Sequence, residues 1–183
     1  MKRDLAIRLA PFTAACLIAA LVLRPRWMGL TAGDVRAQVI FGLAGAPLLF
    51  LAATYVQLQL TRRRRVLMVP SGAGDAWFQA GYYALNGPVE EAFFRGLVQG
   101  GLSVLTFPAL GFAVATAAYV LYHRLGWSWP DTLATALLGV PLGFAFWLLP
   151  GPPSLLGVSM AHIGATCGFL GLGPLALRKL RLL

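Results

Sequence analysis

Apolar stretches long enough to cross a lipid bilayer constrain the fold of this chain most strongly. Residues 5–23 form the first stretch and residues 38–60 the second, and arginines follow each of them closely. An apolar segment of about 20 residues spans the hydrocarbon core as a helix. Only 11% of the 183 residues are charged, whereas a soluble domain has about a quarter. The sequence therefore predicts an all-α polytopic membrane protein.

About six transmembrane helices are expected, together with one short helix at the membrane interface. The interfacial helix begins near Asp75, carries aromatic side chains suited to headgroup level, and is expected to end at Asn86-Gly87. Pro88 suits the first turn of the next helix. We predict a single membrane domain over residues 1–183, in which two helices and a basic loop (1–70) precede a functional core (75–177). The predicted spans are residues 5–23, 38–60, 88–107, 108–124, 132–149 and 154–177.

The basic residues predict the orientation of these helices. The chain has 15 Lys and Arg against 6 Asp and Glu, a net charge of +9. Eleven of the 15 fall on the side of the two termini and of residues 62–65, three fall on the other side, and Arg95 lies within a span. Since cytoplasmic loops carry the excess of Lys and Arg, both termini are predicted to be cytoplasmic. Anionic lipids are the expected partners of the basic loops, and nucleic acid is not expected as a partner.

Two adjacent carboxylates and an arginine stand out in the third span. Glu90, Glu91 and Arg95 occur in an otherwise apolar run. On a helix, Glu91 and Arg95 share a face and can form an ion pair, whereas Glu90 is rotated by about 100°. An ordinary helix start also favours acidic residues, but it does not account for Arg95. Because ionisable groups at membrane depth are costly, the set indicates a functional site.

The two histidines of the chain lie on other spans. His123 follows Tyr119 by four residues on the fourth span, and His162 precedes Thr166 by four residues on the sixth. A carboxylate base with one histidine beside it, and a second histidine with a hydroxyl opposite, can activate water. Taken singly, His123 can also meet lipid headgroups at a helix end, and His162 can pack between helices. Together with the glutamates, they predict a pocket that activates water.

The order of these motifs resembles the CPBP family of membrane proteins. Glu90-Glu91-x-x-x-Arg95 within Phe-Phe-Arg-Gly, then Tyr119-x-x-x-His123, then His162 in a glycine-rich last helix are similar to the motifs of that family. The family comprises CAAX prenyl endopeptidases and bacteriocin-processing or abortive-infection relatives. The resemblance covers roughly residues 75–175. It implies an intramembrane protease of a bacterial inner membrane that acts on a membrane-associated protein or peptide. Hydrolysis is expected to take place in a catalytic chamber between the helices.

The resemblance also implies a role for each residue of the motifs. Glu90 is expected to be the general base that activates water. His123 is expected to help position that water, and His162 to polarise the scissile carbonyl. Glu91 and Arg95 are expected to support the base.

Thr166 departs from the family, which usually has asparagine or aspartate at this position. Threonine offers the oxyanion a shorter hydroxyl donor, which favours, as an alternative, a catalytically silent relative acting as a membrane scaffold or immunity protein. Glu and His are possible zinc ligands, but no His-Glu-x-x-His pair preforms a zinc site. We therefore expect no cofactor and favour a metal-dependent protease less. A prenylated C-terminus, a leader peptide and a membrane-anchored sorting tail are all compatible substrates.

Overall fold

Helices make up the regular structure of residues 5–23, 26–64 and 70–182, the parts of the chain that a computed structural model describes. An isolated backbone bridge joins Leu30 to Ser154 in the same ranges. The helices are α1 (Ala10–Leu23), α2 (Val35–Arg64), α3 (Ala73–Glu91), α4 (Gly101–Leu105), α5 (Pro108–Tyr122), α6 (Trp129–Ala134), α7 (Ala136–Leu148), α8 (Leu156–Phe169) and α9 (Leu172–Lys179).

Several of these helices suit a lipid bilayer. Three helical stretches are long and apolar enough to cross a membrane, and a fourth is apolar but shorter. They are Val35–Arg63, Trp129–Leu148, Leu156–Lys179 and the shorter Ile7–Leu23. The prediction of an all-α membrane protein is confirmed, while the count of six spans stays a prediction. Four basic residues used for the predicted orientation lie outside the described residues: Lys2, Arg3, Arg24 and Arg65.

The helix that carries the two glutamates is longer than predicted. α3 runs through Asn86 and Gly87 and continues into a π-helical segment, Ala92–Gly100, and then α4. The predicted break at Asn86-Gly87 is therefore wrong. Asn86 is 3% exposed and its side chain donates to Glu90, so it does not turn back on the backbone as in a solvated loop. Pro88 lies inside the helix, which membrane helices tolerate when their surroundings satisfy the freed backbone groups.

The last predicted span is divided into two helices. α8 ends at Phe169 and α9 begins at Leu172. Gly171 between them has a φ of +82°, a left-handed conformation that glycine adopts without steric cost. A Cβ at this position would also lie 3.2 Å from the carbonyl oxygen of Ala76. The chain therefore turns where it packs against the start of α3.

Close packing of α2 against α8 holds the second histidine in place. A Cβ at Gly164 would overlap the carbonyl oxygen of Ala46, and one at Gly168 would overlap that of Phe50. Small residues of this kind let helix backbones approach closely. On another side of α8, Val158 packs with Phe146 of α7 in a buried apolar cluster. α8 also contacts α3, and this contact brings His162 to the two glutamates.

Candidate active site

Glu90, Glu91 and Arg95 lie in the interior of the protein, where α3 passes into the π-helical segment. Their exposed fractions are 1%, 0% and 0%. Arg95 Nε lies 3.4 Å from Glu91 Oε2, as the helical spacing predicts. Neither atom has a hydrogen-bond partner in the described part of the chain, so the two groups attract each other as charges without an aligned hydrogen bond.

Arg95 connects the glutamate helix to two others. Its Nη1 donates to Thr116 Oγ1 of α5 over 3.3 Å, and its Nη2 donates to the carbonyl oxygen of Gly139 in α7 over 2.9 Å. Its Cζ lies 5.2 Å from the centroid of the Tyr119 ring, within the range of a cation–π contact. The guanidinium is thus held on several sides. It fixes the position of Glu91 rather than reaching toward a substrate.

His162 lies between the two glutamates. Its Nδ1 is 2.6 Å from Glu91 Oε1, and its Nε2 is 3.6 Å from Glu90 Oε2. Since an ionised carboxylate only accepts hydrogen bonds, Nδ1 carries the proton. The contact with Glu91 therefore sets the orientation of the imidazole ring. Nε2 is left to act beside Glu90.

His123 is held by its own helix and by aromatic rings. Its Nδ1 donates to the carbonyl oxygen of Tyr119 over 2.8 Å, which leaves Nε2 as the accepting nitrogen of a neutral ring. The ring centroids of Tyr119 and Tyr122 each lie 4.8 Å from that of His123, and that of Trp127 lies 5.0 Å away. These contacts restrict the rotation of the imidazole.

Thr166 points its hydroxyl group back along α8. Its Oγ1 donates to the carbonyl oxygen of His162 over 3.0 Å, a contact that threonines often make inside helices. The hydroxyl proton is therefore engaged with the backbone. To stabilise an oxyanion, the side chain of Thr166 would have to rotate away from this carbonyl.

A cavity of about 200 Å³ connects the predicted site residues. Glu90, His123, His162 and Thr166 line it, together with Arg8, Asn86, further polar and aromatic side chains, and apolar side chains of α2, α7 and α8. Glu91 and Arg95 lie behind this wall, fully buried. The cavity wall combines ionisable and apolar side chains, which suits a substrate with an apolar segment beside the reacting bond.

Comparison with protein families assigns the part of the chain that carries these residues to a family. Residues 72–167 match the family model described as Type II CAAX prenyl endopeptidase Rce1-like. This range is more than half of the chain and includes both glutamates, Arg95 and both histidines. The chain belongs to this family. As a CAAX-type protease it is an integral membrane protein that acts on a membrane-associated protein. Neither a curated protein nor a solved structure matches the chain significantly.

Three contacts of Glu90 were not anticipated from the sequence of this family member. Arg8 Nη1 lies 3.2 Å from Glu90 Oε1, Asn86 Nδ2 donates to the same oxygen over 2.9 Å, and the Tyr122 hydroxyl donates to it over 3.3 Å. Asn86 precedes Glu90 by four residues, so helical spacing could have revealed it had the helix been taken as continuous. Tyr122 is next to His123. Arg8 carries no such signal and was assigned only to topology.

Metal ligation has no clear geometric basis in the described ranges. Among those residues, no group of three or more His, Cys, Asp or Glu side chains is arranged to hold a metal ion. The two carboxylates instead have cationic neighbours, Arg8 at Glu90 and Arg95 at Glu91. A divalent cation placed there would be repelled by both guanidinium groups.

Proposed function

We propose that this CAAX-type protease hydrolyses a peptide bond of its membrane-associated substrate with a water molecule that Glu90 activates. One observation carries the proposal. Glu90 Oε1 is held by protein donors, whereas Oε2 lies 3.6 Å from His162 Nε2, and both residues line the cavity. A carboxylate with one occupied oxygen and one oxygen near the cavity has the geometry that a general base needs.

The proposed reaction needs no co-reactant other than water. Glu90 Oε2 takes a proton from the water molecule while the water oxygen bonds to the carbonyl carbon of the scissile bond. The carbonyl oxygen becomes negatively charged in this step. The C–N bond then breaks, and the proton held by Glu90 passes to the leaving nitrogen. The products are a new carboxyl terminus and a new amine.

His162 is the proposed electrophile for the carbonyl oxygen. Glu91 Oε1 accepts a hydrogen bond from His162 Nδ1 over 2.6 Å. The carboxylate stabilises the ring when it is positively charged, as the aspartate of a catalytic triad does for its histidine. When the ring is doubly protonated, Nδ1 donates to Glu91, and the second proton, on Nε2, donates to the developing oxyanion and stays on the ring. Arg95 is the cationic neighbour of Glu91 and holds it in place. This division of work explains why Glu91 is buried behind the cavity wall while Glu90 lines it.

His123 is the proposed second contact of the water. Because Nδ1 donates to the backbone, Nε2 can accept a hydrogen bond from water. The packing of Tyr119, Tyr122 and Trp127 against the ring supports this role, since a fixed acceptor orients water at little further entropic cost. Substrates with a prenylated C-terminus, a leader peptide or a sorting tail all remain candidates for the apolar part of the cavity.

Cleavage assays in lipid vesicles test the proposal. Membrane peptides representing the three substrate types are incubated with wild-type protein, Glu90→Gln and the control Asp75→Asn, which makes the same carboxylate-to-amide change at the far end of α3. We expect wild type and Asp75→Asn to cleave one type, and Glu90→Gln to be slower by about 10²- to 10⁴-fold. Mass spectrometry identifies the bond that is cut, and products made in H₂¹⁸O should carry ¹⁸O in the new carboxylate.

A catalytically silent scaffold is the second candidate, and the contact of Thr166 with the backbone favours it. It predicts that wild type and Glu90→Gln both leave all three peptides intact. Full activity in Glu90→Gln would instead show that a different group activates the water.

A further inference from the structure

Three donors from different elements converge on a single oxygen of Glu90. Arg8 belongs to the π-helical turn before α1, Asn86 to α3 and Tyr122 to the end of α5. They approach Oε1 to 3.2, 2.9 and 3.3 Å. A carboxylate oxygen has two lone pairs, so this atom is occupied by the protein. The other oxygen of Glu90 faces His162 instead.

We propose that Arg8 is a positioning residue of the active site, which together with Asn86 and Tyr122 fixes Glu90 so that Oε2 is its proton-accepting atom. This inference rests on the proposed function of Glu90. The N-terminal helix then belongs to the catalytic apparatus, although Arg8 lies outside residues 72–167 that match the family.

Charge explains why Glu90 needs a cation of its own. An ionised carboxylate that is 1% exposed is costly at membrane depth unless it has a partner. Arg95 pairs with Glu91 and donates hydrogen bonds to Thr116 and Gly139. Arg8 supplies the second positive charge, so that each of the two neighbouring glutamates has one guanidinium group. Within the described part of the chain, loss of Arg8 would leave the two carboxylates with Arg95 and His162 as their ion-pair partners.

Several contacts hold Arg8 where the proposal needs it. Its Nη2 donates to Asn86 Oδ1 over 3.2 Å, so Asn86 links Arg8 and Glu90 through both ends of its amide. The Arg8 Cζ lies 5.3 Å from the centroid of the Tyr122 ring. Four residues later, the ring of Phe12 stacks on Phe93 of the π-helical segment at 4.0 Å. This stacking docks the helix that presents Arg8.

Contact with Oε1 distinguishes positioning from blocking. The guanidinium binds the oxygen that Asn86 and Tyr122 also bind, while Oε2 lies 3.6 Å from His162 Nε2. Arg8 lines the cavity as Glu90 does. A residue that acts by holding Glu90 in position should change kcat more than KM. A residue that blocked the site would do the opposite when removed, since activity would rise.

Steady-state kinetics in vesicles test this role on the peptide that wild type cleaves. Arg8→Met removes the ion pair with Glu90 and the hydrogen bond to Asn86 at similar side-chain length. We expect kcat to fall about 10- to 100-fold, the scale of a misplaced catalytic group, with KM within about threefold of wild type. Arg8→Lys keeps the charge, so its kcat should be at least fivefold higher than that of Arg8→Met. This recovers roughly half of the loss on a logarithmic scale. Arg178→Met, an exposed arginine in the last turn of α9, is the matched control and should keep wild-type kinetics.

Thermal melting of the same variants measures the contact itself. If Arg8 and Glu90 interact, the shifts in melting temperature for Arg8→Met and Glu90→Gln should not add up in the double variant. Additive shifts would overturn the contact. A wild-type kcat in Arg8→Met beside an inactive Glu90→Gln would overturn the positioning role alone, and so would a higher kcat or a change confined to KM. Full activity in Glu90→Gln, or none in wild type, would overturn the proposed function and this role with it.

Discussion

At the scale of single residues, the two adjacent glutamates differ because their partners differ. Glu90 lines the cavity and binds Arg8, Asn86 and Tyr122, whereas Glu91 lies behind it and binds Arg95 and His162. Both are almost fully buried. Neighbouring residues on a helix point about 100° apart, so Glu90 can line the cavity while Glu91 holds His162. The same residue type in adjacent positions thus has two different environments.

Arg95→Ala should destabilise the fold as well as reduce activity. It leaves Glu91 as an uncompensated buried charge and removes the bonds to Thr116 and Gly139. Breaking a buried ion pair costs about 3–5 kcal/mol. Thermal melting in detergent should show a clear decrease, and less folded protein should be recovered from membranes. Arg178→Ala is the surface control. An unchanged melting temperature in Arg95→Ala would contradict the pairing role.

Thr166→Asn should raise activity. Family members usually have asparagine or aspartate at this position, and the Thr166 hydroxyl is bound to the His162 carbonyl oxygen, so an amide would offer a free donor to the oxyanion. Since one such donor is worth about 10²- to 10³-fold, the gain in kcat can reach about 100-fold. Thr166→Val should change kcat little, because it removes only the contact with the backbone. A large loss in Thr166→Val would mean that the threonine hydroxyl itself contacts the substrate.

Chelators should leave the activity of the purified protein unchanged. The carboxylates have Arg8 and Arg95 as neighbours, and these charges oppose a bound divalent cation. The measurement is cleavage before and after treatment with a membrane-permeant chelator, with a known zinc protease as a positive control. Loss of activity that zinc alone restores would show that Glu90 and the histidines are metal ligands.

At the scale of helices, continuity of α3 decides where the site forms. The residues on both sides of Asn86-Gly87 have the pattern of a helix. The pair itself predicts a break, because Asn-Gly favours turns in water. Within the protein, the Asn86 side chain binds Arg8 and Glu90 instead. The same local sequence can form a turn or continue a helix. Only the buried partners of the Asn86 side chain favour the continuous helix.

Gly164→Ala should weaken the packing of α8 on α2. A Cβ at this position would overlap the backbone of Ala46, which cannot move aside as a flexible side chain can. Overpacking of this kind costs about 1–3 kcal/mol. Gly81→Ala makes the same change on α3, where a Cβ would meet nothing within 4 Å, and should be neutral or stabilise by about 0.5–1 kcal/mol. Melting temperatures of the two variants test this, and equal shifts would contradict the close approach.

At the scale of the whole molecule, the orientation in the membrane follows from the arginines. We predict that fusions of a reporter after residue 65 and after residue 183 report the cytoplasm, and that one after residue 33 reports the other side. The structure is compatible with this pairing of loops, since Leu30 bridges to Ser154 and Thr31 Oγ1 donates to the carbonyl oxygen of Pro153. A non-cytoplasmic signal from either of the first two fusions would reverse or remove the predicted topology.

The membrane class of the protein and the composition of its motifs follow from the amino-acid sequence alone. Both depend on local patterns: apolar length, and the four-residue spacing of Glu91 and Arg95. Two contacts become visible only in the packed structure: His162 lies between the glutamates, and Arg8 forms an ion pair with Glu90. Those contacts join residues far apart in the chain. They depend on how α8 packs on α2 through glycines and on how Phe12 docks α1, and no spacing along the sequence encodes the angle or depth of such packing.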